Sequence, residues 1–168
     1  EKLIHIYIEP KNDNYIFLET KVIIGKSDAN SNNFDTLIFA LRNVEKVSIP
    51  TFIKYISSHS FSGCKKLKAI EFSEDSKLLI ISNNAFSLSS ISQIFIPKSV
   101  EELKDGWCKY TSMLTSVILS EENGNFEYLD FERNMIVDRT GVLNFASRCI
   151  VEAFIPSSVK RIGSGAFS

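Results

Sequence analysis

Three segments of this chain carry one apolar frame. IPTFIKYISSHSF at 49–61, IPKSVEELKDGWC at 96–108 and IPSSVKRIGSGAF at 155–167 align on their Ile-Pro. Ile49, Ile53, Ile56 and Phe61 match Ile96, Val100, Leu103 and Cys108, and both sets match Ile155, Val159, Ile162 and Phe167, always at offsets 4, 7 and 12. A second frame alternates with the first. Leu67, Ile70 and Phe72 follow Phe61 at offsets 6, 9 and 11, and Leu114, Val117 and Leu119 follow Cys108 at the same offsets. The Ile-Pro segments are entered from Phe39, Phe86 and Phe145 at offsets 5, 8 and 10. Ile49, Phe72, Ile96 and Leu119 are therefore 23, 24 and 23 residues apart.

A period in the low twenties with a core-x-x-core-x-core segment is the mark of a leucine-rich-repeat solenoid. Each such segment is a short strand with alternate side chains turned inward. One strand cannot bury its face alone, but stacked copies form a parallel sheet over a continuous core. Proline cannot donate to a ladder, so Ile-Pro marks where pairing ends. The Ser- and Asn-rich stretches leading to each Phe must turn the chain back along the other face. The fold expected is a mainly β solenoid (formally α/β) of five to six repeats. Parallel short strands line one face, and turns and short helices the other.

The step from Leu119 to Ile155 is 36 residues, too long for one repeat. Residues 121–144, EENGNFEYLDFERNMIVDRTGVLN, are read as an inserted β-hairpin, with Asp138-Arg139-Thr140-Gly141 as its turn. Residues 1–43 form an irregular N-terminal region, a cap or a diverged repeat, in which KLIHIYI and YIFLETKVII read as strands. Residues 44–168 hold the repeats. The last repeat would leave Val159, Ile162 and Phe167 unstacked, so the chain is expected to continue beyond Ser168.

Little in the composition points to chemistry. With 19 Lys+Arg against 20 Asp+Glu, the net charge of −1 lacks the footprint of a nucleic-acid binder. No apolar run reaches the roughly 18–20 residues needed to span a bilayer. His5 and His59 are far apart. The acids Glu127, Asp130 and Glu132 have no ligand spacing and read as a solvated coat. Cys64 and Cys108 fall on core positions, and Cys149, beside core Ile150, is read as structural in the same way. The sequence offers no catalytic, cofactor-binding or metal-binding residues, and no enzyme is expected.

IPSSVKRIGSGAF, SFSGCKKLKAIEF and NNAFSLSSISQIFIP resemble the BspA-type leucine-rich repeat, also called the Treponema-pallidum-type repeat, over roughly residues 37–168. The 123–143 segment, NGNFEYLDFERNMIVDRTGVL, resembles that family's recurring hairpin. Trp107-Cys108 departs from the family's Ala-Phe. The resemblance implies a cell-surface or secreted protein of a host-associated microbe, with a host surface or matrix protein as partner and adhesion as the function. The Asn- and Ser-rich flavour is compatible with a trichomonad-like protist. The alternative is an intracellular or secreted scaffold binding an unrelated protein through the same face.

If Val47 and Ile49 point inward, their neighbours point outward. One outward column then reads Ser48, Glu71, Phe95, Ile118 and Phe154, with Gln93 beside it. Large exposed apolar residues in a row mark interaction surfaces. Phe95, Ile118 and Phe154, with Glu71 and Gln93, are therefore the candidate partner-binding residues; the alternative is that the hairpin, or another part of the full-length chain, covers this patch.

Overall fold

The computed structural model describes residues 5–19 and 21–168. The chain opens with an antiparallel unit of β1 (Tyr15–Leu18), β2 (Val22–Gly25) and β3 (Thr36–Ala40). The sequence also reads a strand at 2–8. Its first three residues lie outside the described ones, and His5–Ile8 belongs to no strand.

Seven strands then wind as coils: β4 (Lys46–Ile49), β5 (Tyr55–Ile56), β6 (Ala69–Phe72), β7 (Ile80–Ile81), β8 (Gln93–Ile96), β9 (Glu102–Leu103) and β10 (Ser116–Leu119). β4, β6, β8 and β10 are the expected strands. β4 pairs with β6 and β8 with β10, in parallel. Val47, Ile49, Ile70, Ile94, Ile96 and Val117 alternate into the core as the frame requires.

The opposite side differs from the sequence reading. In place of short helices it carries a second parallel ladder, β3–β5–β7–β9, and tight turns; among the described residues there is no helix. Leu37, Ile56, Ile81 and Leu103 stack as its buried rung positions. The turns supply the reason. His59, Asn84, Gly106 and Gly165 form one column of left-handed residues, at φ 61°, 55°, 71° and 72°. Gly63, Leu88 and Tyr110 form a second, at 71°, 58° and 60°. A left-handed residue twice per coil stops right-handed helix propagation. Leu88 is half-exposed where Gly63 stands one coil earlier, so Leu88→Gly should stabilise the protein by about 0.5–1 kcal/mol. Asn84→Gly should be nearly neutral, because Asn tolerates this region. Equilibrium urea unfolding reads both.

The irregular segment is a second copy of the opening unit. β11 (Phe126–Tyr128), β12 (Met135–Asp138) and β13 (Val142–Ala146) run antiparallel, with a register shift inside β12 as there is inside β2. From β3 onward the two copies align without a gap at a spacing of 106 residues: Leu37 with Leu143, Phe39-Ala40 with Phe145-Ala146, Arg42 with Arg148, Ile49-Pro50 with Ile155-Pro156. Each unit feeds a parallel strand. β3 pairs with β5, and β13 with β14 (Arg161–Ile162). The hairpin is thus a restart of the solenoid, seated on the preceding coil.

An aromatic column runs through the coils to that junction. Phe61 stacks on Phe86 with ring centroids 5.0 Å apart, Phe86 meets Trp107 edge-on at 6.2 Å, and Trp107 meets Phe145 at 6.5 Å. This accounts for Trp107-Cys108. The aromatic moves back one residue so that its indole spans the gap to the second unit, where Nε1 donates to the Asn144 carbonyl at 3.2 Å.

The junction also overturns the strand expected at 150–155. The Tyr128 hydroxyl accepts from Leu119 N at 2.8 Å and donates to Val117 O at 3.1 Å. Those are the β10 groups that another strand would have used. No strand forms at 150–155, and Ala153 and Ile155, read as inward-facing, are exposed.

Candidate protein-binding face

The outer surface of the β4–β10 strands divides into two halves. In the first half the polar side chains satisfy one another. Ser48 sits in register with Glu71 and donates to its carboxylate at 2.9 Å, while Lys46 pairs with the same carboxylate at 2.6 Å. Lys46, and then Ser48, hold the Glu71 carboxyl below the usual range. Lys68 and Glu45 pair alongside at 2.9 Å. Glu71, read as a partner contact, is therefore already engaged within the chain.

In the second half Phe95 and Ile118 are register partners on β8 and β10. Both are half-buried and neither belongs to a core cluster. Gln93 is exposed on the same strand, in register with Ser116. Phe154 is 81% exposed and stands outside the ladder, because the capped edge of β10 accepts no further strand. The column read as Phe95, Ile118 and Phe154 is a pair in the sheet.

This pair floors a cleft of about 510 Å³ with Pro97 and Leu119. Its rim is charged. Glu74 and Asp75 follow β6, Glu121 and Glu122 follow β10, and Lys98 stands between them, bonded to Glu122 at 2.8 Å. Arg133, from the second unit, closes one side with its guanidinium over the Tyr128 ring at 5.3 Å. The acidic rim was legible in the repeat, since FSED at 72–75 and LSEE at 119–122 are equivalent stretches. Arg133 had no such signal, because only the fold of the second unit brings it to the strands.

Two larger clefts are less suited to a partner. One of about 670 Å³ is walled partly by the chain's own His5–Tyr7 segment. One of about 600 Å³ lies between β9 and β13, and its polar walls bond each other, Arg161 to Asp105 at 3.0 Å and Asn144 to Asp138 at 2.9 Å.

The cysteines split in a way the repeat frame did not foresee. Cys64 and Cys108 are buried, whereas Cys149 is exposed, because the segment it opens leaves the core. Burial raises the Cys64 thiol pKa, against the pull of Arg42, and pushes that of Cys108 up to about 12, against the pull of Arg148. A thiol reagent at neutral pH should modify Cys149 rapidly and the other two only on unfolding. Mass spectrometry of the native protein checks this by counting modified sites. Among the described residues no three His, Cys, Asp or Glu side chains gather as metal ligands.

The fold and the face can be set beside known proteins. The family model of the BspA type leucine rich repeat region matches residues 32–168 in six copies. Among solved structures, the chain is similar to the pneumococcal vaccine antigen PcpA, at 29% identity and a TM-score of 0.67, over 74% of this chain and 31% of that one. A leucine-rich cell surface protein of Faecalibacterium prausnitzii shares the fold at 20% identity and a TM-score of 0.60, over 74% and 38%. A leucine-rich repeat protein of Eubacterium ventriosum does so at 23% and 0.56, over 75% and 39%. The chain thus spans between three and four tenths of these structures. No curated protein matches it in sequence. The parallel ladders, the repeat frame and the family match agree, and the chain belongs to the BspA-type leucine-rich repeat family.

Proposed function

We propose that this chain is a non-catalytic recognition module that binds a protein partner through the outer strand face around Phe95 and Ile118, and that it serves adhesion at a cell surface. The observation that carries the reading is the pair itself. Two large apolar side chains stand together on an outward strand face, outside both core clusters, over an open cleft. Solenoids commonly bind through such faces, and apolar patches not used by the core mark contacts with partners. The surface setting is supported by the family: one similar structure is described as a vaccine antigen and another as a cell surface protein. Gln93 is placed to add a polar contact, and Phe154 to contact a partner that reaches past the ladder.

The test joins two measurements. Antibody to the chain should label intact source cells. The Phe95→Ser/Ile118→Ser variant should then bind cultured host cells or immobilised matrix proteins at least tenfold more weakly than the unmodified chain, while keeping a cooperative melting transition well above the assay temperature. Labelling only after permeabilisation removes the adhesion reading. Undiminished binding by the folded double variant removes the face.

A further inference from the structure

We infer that the Phe95–Ile118 cleft takes a basic extended segment of a protein partner, one in which Lys or Arg side chains flank a large apolar residue. This inference rests on the recognition reading above and names the chemistry of the partner. The apolar floor selects an apolar anchor, since Phe95 and Ile118 are register partners on adjoining strands and Pro97 and Leu119 line the same cleft. The rim selects the charge. Four carboxylates (Glu74, Asp75, Glu121 and Glu122) face two cations, Lys98 and Arg133. Lys98 is already bonded to Glu122, and Arg133 lies over the Tyr128 ring. None of the ion pairs among the described residues takes Glu74, Asp75 or Glu121.

The remainder of the strand face sharpens the contrast. Around β4 and β6 the carboxylates of Glu45 and Glu71 are each met by a lysine, and the whole chain carries a net charge of only −1. On this strand face the carboxylates outside any close ion pair therefore gather beside the apolar floor, where Glu74 and Asp75 act on Lys98 only through space while Glu122 bonds it. A basic segment would gain complementarity there, while an acidic one would meet like charge on both sides. The cleft runs across the ends of three successive strands, β6, β8 and β10, a span suited to an extended segment.

The test uses three fluorescein-labelled decapeptides read by polarisation. One alternates Arg with Val and Phe, one replaces each Arg by Glu, and one replaces each Arg by Ser. The basic peptide should bind at least tenfold more tightly than the acidic one, and its binding should weaken severalfold between roughly 50 and 500 mM salt. Glu74→Gln/Asp75→Asn/Glu121→Gln should cost about tenfold for the basic peptide and nothing for the serine peptide. Phe95→Ser/Ile118→Ser should weaken both. Equal or tighter binding of the acidic or serine peptide overturns the inference, as does basic-peptide binding that the carboxylate variant leaves unchanged. Absence of binding by all three also overturns it. The cell-binding comparison of the Phe95→Ser/Ile118→Ser variant decides the recognition reading separately.

Discussion

Replacing Trp107 by Ala should lower the stability of the protein by about 3–5 kcal/mol. The side chain is 1% exposed and is the largest fully buried one. It touches Phe86 on the coil side and Phe145 on the second unit, and its indole N–H reaches Asn144 O. Truncation leaves a cavity where the two halves of the solenoid meet, and Phe86 and Phe145 cannot both collapse into it. Far-UV circular dichroism during urea unfolding measures the loss; fluorescence cannot, because Trp107 is the single tryptophan. A broadened or two-step transition is expected as well, since repeat proteins stay cooperative only while neighbouring coils are coupled. Trp107→Phe keeps much of the packing and should cost about 1–2 kcal/mol. If Trp107→Ala cost as little as Trp107→Phe, the junction would not depend on this contact.

The repeat frame announced the coils because burial is periodic. Each inward Ile, Val or Phe answers the same steric demand one coil later, so the sequence repeats what the packing repeats. The second ladder was harder to see. Beyond β3 its strands are two residues long, too short for an alternation to register, and only the stacking of Ile56 on Ile81 and Leu103 defines them. The left-handed columns were masked because His59, Leu88 and Tyr110 stand where glycine would have been the signal. The outward position of Phe95 and Ile118 followed from strand alternation alone. That of Phe154 did not, because it required a strand whose ladder partners are taken by the hydroxyl of Tyr128. A side chain acting as a strand cap leaves no periodic trace.

Arg148→Met should destabilise the protein by about 2–4 kcal/mol, more than Arg42→Met at the equivalent position. Both guanidiniums do the same local work. Arg42 donates to Ala40 O at 3.2 Å and Ser60 O at 2.9 Å, and Arg148 to Ala146 O at 2.9 Å and Ala166 O at 2.6 Å. Each ties the end of an antiparallel unit to the coil that follows. The further contacts of Arg42, to His59 O and the Cys64 sulfur, stay on the coil that follows, whereas Arg148 also reaches the coil that comes before, through Cys108 O at 3.3 Å. It therefore links three successive segments, and its loss strands carbonyls in all of them. Arg148→Lys should recover little, because an ammonium cannot span carbonyls that a planar fork reaches together. Parallel urea titrations of the four Met and Lys variants provide the comparison. Equal losses at the two positions would mean that the Cys108 contact adds nothing. Full rescue by Lys would show that charge, rather than the geometry of the fork, holds the restarted solenoid to its first half.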